Sequence, residues 1–271
     1  MTEALRITSI VRPMSGESQS YMVQGEDKRY YVAKFRNNPQ GNRTLVNEWM
    51  ASTLLHRLGA STPNIRSLYL SAELQRSADL CFSRRSARVP VPTGLHLGSQ
   101  CPVDPQKKTM FDFLAFHMYN KVENLGDIAL ALVFDRWVGQ LDSRQVIFYR
   151  RPKSGTTASL QLSLIDHGYC FGALEWNPNR AAPLHGFYGD RRVYGLLSTS
   201  EVELAVKRIQ CLSSKDIEDA TTTVPRELLS PGDEQALVEL LSRLHWRHSH
   251  LKELVYASLK AMAEEYEVHL M

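Results

Sequence analysis

Four cysteines in 271 residues, at 81, 101, 170 and 211, form no Cys-x-x-Cys pair. That spacing excludes the common zinc arrangements and a disulfide framework, and it fits a reducing compartment such as the cytoplasm. Long apolar runs are missing as well: none nears the roughly 18 residues of a membrane-crossing helix. Met1-Thr2-Glu3-Ala4-Leu5-Arg6 does not read as a secretory signal. Charge of one sign is scarce, with 32 Lys and Arg against 29 Asp and Glu, a net of +3. Such a balance gives no electrostatic footprint for nucleic acid. The short clusters Arg84-Arg85-Ser86-Ala87-Arg88 and Arg150-Arg151 read as solvated loop charge. The expectation is a cytoplasmic chain with no membrane partner and no clear nucleic-acid partner.

What is present is a core: 43% of the residues are hydrophobic, enough for one two-lobed domain or two small ones. Residues 1–85 read as a small antiparallel lobe with one helix. Its strand-like runs are Leu5 to Val11, Tyr21 to Gln24, Tyr30 to Phe35, Ile65 to Ser71 and Leu80 to Ser83. The helix spans Asn42 to Leu58, with Leu45, Trp49, Ser52, Leu55 and Leu58 on one face and Gly59 as its stop. Residues 86–108 carry four prolines and Gly94-Leu95-His96-Leu97-Gly98-Ser99, and read as a long irregular hinge loop. Residues 109–271 are mainly helical. Thr109 to Met118 and Leu125 to Val138 are predicted helices. Val146 to Tyr149 and Leu160 to Ile165 are short strands flanking the Lys153-Ser154-Gly155 turn. After an aromatic, aperiodic stretch at 168–195 come helices at 200–211, 215–221, 232–246 and 248–266, with Leu237, Leu240, Leu244, Leu251, Val255 and Met262 among their apolar stripes. The fold class is therefore α+β, with a small sheet lobe and a larger helical lobe.

The chemistry begins at Leu164-Ile165-Asp166-His167-Gly168, an Asp-x-Gly turn directly after an apolar strand. Asp142 lies 24 residues upstream, at the other end of the same hairpin. Two carboxylates placed this way form half of a phosphotransferase site. Taken alone, Asp-x-Gly is equally ordinary turn chemistry. Tyr30-Tyr31-Val32-Ala33-Lys34-Phe35 is a buried strand carrying one inward Lys, and Glu48 follows Lys34 by 14 residues on the helix. A strand Lys held by a helix Glu can meet nucleotide phosphates; the bland alternative is a surface pair. Upstream, Ser15, Gly16, Ser18 and Gln19 lie in a small polar loop able to turn backbone N–H groups toward phosphate. His245, His248 and His250 straddle a helix junction, which is poor metal geometry. His167 reads as a packing residue.

In chain order, polar loop, strand Lys, helix Glu, Asp142 and Asp-x-Gly together resemble the HipA-like kinase family, over roughly Arg6 to Val255. The phrases that carry the resemblance are Tyr31-Val32-Ala33-Lys34-Phe35-Arg36-Asn37-Asn38-Pro39-Gln40-Gly41, Phe134-Asp135-Arg136-Trp137 with Asp142-Ser143-Arg144-Gln145, and Ile165-Asp166-His167-Gly168. The last is also similar to the metal turn of phosphoinositide kinases. The resemblance implies a two-lobed protein-kinase-like fold that uses ATP and Mg²⁺ and phosphorylates a Ser or Thr hydroxyl of a protein. Self-modification at Ser15, Ser18 or Ser20 belongs to the same expectation. It implies that Lys34 contacts the phosphates, Glu48 orients Lys34, Asp142 is the catalytic-loop acid and Asp166 is the Mg²⁺ ligand. Larger members of the family place an Asn five residues after the catalytic Asp. Here that position is Ile147, and Gln145 is the nearby amide that would serve as metal ligand. Arg144 stands where a His or Arg is usual. The departure at Ile147 keeps a second reading open, a pseudokinase or toxin–antitoxin-type nucleotide-binding module with an antitoxin-like or operon partner. A small-molecule or phosphoinositide kinase is a third.

Overall fold

The computed structural model describes residues 4–84, 87–107, 110–153, 156–267 and 270. Thr109, the Ser154-Gly155 turn and the Arg85-Ser86 centre of the first basic cluster fall outside them. The small lobe runs β1 (Leu5–Pro13), β2 (Tyr21–Gly25), β3 (Tyr30–Lys34), α1 (Arg43–Arg57), β4 (Ile65–Leu70), α2 (Ala72–Ser77), β5 (Cys81–Arg84), β6 (Ala87–Pro90) and β7 (Gly94–Gln100). Five of these strands close a barrel in the order β1-β2-β3-β7-β4, and β5 and β6 form a separate hairpin. Side chains alternate across each strand, so Leu5 and Ile7 of β1 and Tyr31 and Ala33 of β3 fill the barrel. Helix α1 buries Leu45, Val46, Met50, Leu54 and Leu55 at helical spacing. It stops where Gly59 turns left-handed at φ 68°.

The stretch expected to be a structureless linker contains two strands. β7 inserts between β3 and β4, pairing Ala33 with Gly98 and Leu68 with His96. Its glycines read as loop chemistry, yet Gly98 is a packing requirement: a Cβ there would lie 2.4 Å from the Leu68 side chain. His96 is buried within this strand. Its Nδ1 accepts from the Arg36 N–H at 3.0 Å, and its Nε2 lies 2.8 Å from the Pro92 carbonyl. The small lobe also holds a second short helix, α2, beyond the one expected.

The larger part holds β8 (Met110–Phe111), α3 (Asp127–Val138), β9 (Gln145–Lys153), β10 (Thr156–Ile165), α4 (Thr199–Gln210), α5 (Ser214–Thr222), α6 (Asp233–Ser249) and α7 (Leu251–Tyr266). The helix expected over 109–118 is not formed. Met110 and Phe111 pair with Tyr149 and Phe148 instead, and Phe116–Lys121 is a 3-10 segment. The apolar residues there are used by the β9 sheet, which overrides local helix propensity. Helix α3 is the hub: every residue from Ile128 to Val138 is buried. It ends at Gly139, φ 66°, where a Cβ would strike the Pro178 carbonyl at 2.4 Å. Capping boxes Ser198/Glu201 and Ser213/Asp216 start α4 and α5. His250 breaks α6 from α7. No helix among the described residues is long and apolar enough to cross a membrane.

Candidate active site

Lys34 ends β3 with its side chain turned inward, and Glu48 lies one turn into α1. Lys34 Nζ sits 3.0 Å from Glu48 Oε2 and 2.9 Å from Asp166 Oδ1. Burial alone would lower the Lys34 pKa, but the two carboxylates outweigh it and hold the ammonium charged. Asp166 is pushed below the usual carboxylate range, first by Lys34 and also by a backbone hydrogen bond from Gly168. Glu48 is pushed upward by burial, against the pull of Lys34. The three residues predicted from distant parts of the sequence therefore meet in one cluster.

Asp166 stands at φ 55°, a left-handed conformation uncommon for a residue with a Cβ. Its neighbours hold it there. The His167 N–H donates to Glu48 Oε2 at 2.8 Å. The His167 ring is fully buried, with Nδ1 accepting from Arg144 Nη1 at 2.8 Å and Nε2 lying 3.0 Å from Thr62 Oγ1. Burial, then the Arg144 and Lys34 charges, keep that ring neutral. His167 is thus the packing residue expected. Asn47, beside Glu48 on α1, donates from Nδ2 to the Gly168 carbonyl at 2.8 Å and accepts from Trp176 Nε1 at 2.7 Å. Arg43, on the first turn of α1, bonds Asp233 and lies 4.2 Å over the Trp176 ring. Helix α1 is consequently tied to the Asp166 turn and to the helical lobe at once.

Asp142 is exposed in the short loop between α3 and β9, and its Oδ1 accepts from the Ser143 N–H at 2.7 Å. The adjacent Leu141 N–H donates to the Tyr169 carbonyl at 3.1 Å, which joins this loop to the Asp166 turn. The Tyr169 hydroxyl is raised in pKa by burial and then by Glu17, Asp142 and Asp166. Behind the loop, Arg144 and Asp135 form an ion pair with side chains 1% and 0% exposed. Arg144 Nε lies 2.9 Å from Asp135 Oδ2, and Nη1 donates to the Ile165 carbonyl at 3.1 Å. The phrase Phe134-Asp135-Arg136-Trp137 carries the family resemblance, but no role for Asp135 was read from the sequence. Its signal was a charged pair, Asp135-Arg136, inside an otherwise apolar helix.

Gln145 opens β9, exposed, opposite Ile165 of β10. Ile147 is half-buried opposite Ser163. In the polar loop, Ser15 and Gly16 are exposed, Gly16 stands at φ 118°, and Ser18 is half-buried. Gln19 is directed elsewhere. Its amide exchanges two bonds with Ser83 of β5, at 2.8 and 2.7 Å, and its N–H donates to the Gly16 carbonyl. The β5 edge takes both ends of the amide. Ser20 is buried, unlike the other two candidate acceptor serines. His248 Nε2 lies 2.8 Å from the Ile209 carbonyl, a helix-packing contact. Surface hollows of about 640 Å³ at the start of α6 and 480 Å³ beside Asn37, Asn42 and Arg84 contain none of these groups.

The fold is that of protein kinases. A Golgi casein kinase structure with Mn and ADP bound matches with a TM-score of 0.51 at 12% identity, over 95% of this chain and 73% of that one. The Helicobacter pylori proinflammatory kinase CtkA matches with a TM-score of 0.53 at 12% identity, over 97% of this chain and all of the other. Sequence comparison with curated proteins gives no match. The family described as HipA-like kinase matches residues 7–254, with the whole Lys34–Glu48–Asp142–Asp166 arrangement inside that span, and the chain belongs to it.

Proposed function

We propose that this kinase transfers the γ-phosphate of ATP to a Ser or Thr hydroxyl of a protein, using a divalent ion for which Mg²⁺ is the physiological candidate. The observation that carries the reading is Lys34 Nζ held between Glu48 and Asp166 at 3.0 and 2.9 Å. A charged, buried ammonium kept in place by one interior Glu is the arrangement that neutralises nucleotide phosphates. The oxygens present suit a hard cation. The Asp166 side chain is 40% exposed, and Mg²⁺ is usually held by one or two carboxylates together with substrate phosphates. Gln145, on the strand opposite Ile165, would be the assisting amide ligand. An ion held there would neutralise phosphate charge.

Asp142 then works as the proton acceptor. The Ser143 N–H holds Oδ1 and limits the rotation of the carboxylate. The substrate oxygen forms its bond to the γ-phosphorus while the bond to the bridging β–γ oxygen breaks. The hydroxyl proton passes to Asp142, and ADP leaves with the electron pair. Positioning and charge supply the catalysis. Gly16 and the exposed Ser15 lie in the loop that would cover the phosphates, and Ser15 and Ser18 are the accessible self-acceptors. A protein substrate agrees with the casein kinase named among the structural neighbours.

Ile147 favours one further reading. An apolar, half-buried side chain where the larger relatives carry a metal-binding Asn supplies no oxygen, and it suits a nucleotide-binding module with weak turnover. The experiment measures ATP consumption, phosphate incorporation and ADP binding side by side, with Mg²⁺ and Mn²⁺. Asp142→Asn is expected to lose transfer, by at least ~100-fold for a lost general base, and to keep nucleotide binding. Binding without turnover in the wild type would establish the module instead. Transfer at the wild-type rate in the variant would remove Asp142 from the mechanism.

A further inference from the structure

Each of the four carbonyls from Ile165 to Gly168 has its own donor. Ile165 is held by Arg144 Nη1 at 3.1 Å, His167 by the Cys170 N–H at 3.0 Å and Gly168 by Asn47 Nδ2 at 2.8 Å. The carbonyl of Asp166 itself is reached by Gln140 Nε2, at 3.5 Å, the longest of the set. Gln140 is fully buried, and its Oε1 has no partner. Exchanging the two ends of the amide does not help, because only the NH₂ group can donate to a carbonyl. A buried, unpaired amide oxygen is destabilising, and an apolar side chain of the same size would avoid it. Stability alone therefore does not account for a glutamine here. The backbone is committed to the placement: the Gln140 N–H caps α3 at the Asp135 carbonyl, 3.0 Å away, and a Cβ on Gly186 would come within 3.2 Å of the Gln140 Cβ.

We propose that Gln140 is a positioning residue that sets the metal affinity of the site by holding the Asp166 peptide in its left-handed conformation. The inference rests on the phosphotransferase reading. It acts through Asp166 and does not require Gln140 to touch the ion or the nucleotide. With the Asp166 carbonyl fixed, the carboxylate stays aimed past Lys34 into the cleft. Without that bond the Asp166–His167 peptide keeps only the tie from the His167 N–H to Glu48 at 2.8 Å, and it is less firmly held in the turn that sets Asp166 at φ 55°. The slack at 3.5 Å and the free Oε1 leave room for this contact to tighten when the site is loaded. Partners of this kind typically change metal affinity by about 10–100-fold when removed.

The test is calorimetric titration of ADP across a MgCl₂ series, with Gln140→Met as a volume-matched variant and thermal unfolding measured on the metal-free protein. The expected result is a half-saturating Mg²⁺ concentration raised by about tenfold, metal-free ADP binding unchanged and metal-free thermal stability equal or higher. An unchanged Mg²⁺ dependence overturns the proposal. If Gln140→Met does not fold, Gln140→Asn carries the test, since its shorter amide falls short of the Asp166 carbonyl: raised Mg²⁺ demand supports the proposal and wild-type demand overturns it. A wild-type protein whose ADP binding ignores Mg²⁺ overturns the phosphotransferase reading itself, and this inference with it.

Discussion

Replacing Asp135 by Asn removes one charge from a pair whose side chains are 0% and 1% exposed. Arg144 would keep its bonds to the Ile165 carbonyl and to His167 Nδ1 but lose its counter-charge. No solvent is present to screen the orphaned guanidinium, and breaking such a pair costs about 3–5 kcal/mol. Asn keeps the shape and one acceptor, so about 3 kcal/mol is the expected loss, a large part of a typical 5–15 kcal/mol total. For a chain of this size that lowers the thermal midpoint by roughly 6–12 °C. Urea and thermal unfolding of Asp135→Asn read it directly. A companion variant, Asp135→Leu with Arg144→Met, removes both charges and should recover most of the stability, because the desolvation cost disappears with the ions. It also removes the donor that the Ile165 carbonyl and His167 share, so metal-dependent ADP binding should stay weak although the protein is folded. A loss under 1 kcal/mol in Asp135→Asn, or wild-type ADP binding in the double variant, refutes the claim that this pair pins the Asp166 turn.

Asp166→Ala should abolish metal-dependent ADP binding in a folded protein, while Gln145→Ala should raise the Mg²⁺ needed for half-maximal transfer and leave metal-free ADP binding intact; an unchanged Mg²⁺ dependence in Gln145→Ala would leave Asp166 as the sole assigned protein ligand. His96 gives the pH prediction. Burial lowers its pKa to about 3 in the folded state, against 6.5 unfolded, so its stabilising contribution is complete above pH 6.5 and is lost as pH falls toward 3. Between pH 7 and pH 5 the loss comes to about 2 kcal/mol, and buried His167 shifts in the same direction. Urea midpoints at the two pH values should show it, and His96→Gln should flatten the slope.

The parts of the site that were legible in the sequence are those whose position follows from one element and its boundary. Lys34 is the only charge in an apolar strand, Glu48 lies at a fixed spacing on the next helix, and Asp166 precedes a Gly after a strand. Each needed only local periodicity to be placed. β7 was illegible because its residues break strand statistics: Gly94, Gly98 and the flanking Pro90 and Pro92 read as loop. The Leu68 side chain above Gly98 explains the glycine, and that contact joins residues 30 apart. The tie of the Gln19 side chain was illegible for a related reason. A polar loop residue looks available to a ligand until the β5 edge, 64 residues away, takes both ends of its amide. Asp135 and Gln140 act from behind the site, and nothing in their immediate sequence says which carbonyl or cation they will face.

The departure at Ile147 can be argued one step further from the strand itself. Only Ser143 and Arg144 separate Asp142 from β9, which begins at Gln145 opposite Ile165. In the larger relatives the metal-binding Asn falls five residues after the Asp; here that register is already inside a paired strand, opposite Ser163. Successive strand residues face opposite sides, so Gln145 and Ile147 share one face while Arg144, Val146 and Phe148 point into the core. Arg144 is what anchors this register: its bonds to Asp135, the Ile165 carbonyl and His167 fix the first rung of the hairpin. An Asn at 147 would therefore sit on a strand, at the Gln145 face but two residues farther from the Asp166 turn. Gln145, opposite Ile165, is the residue on that face nearest the turn, and it is the one that carries an amide.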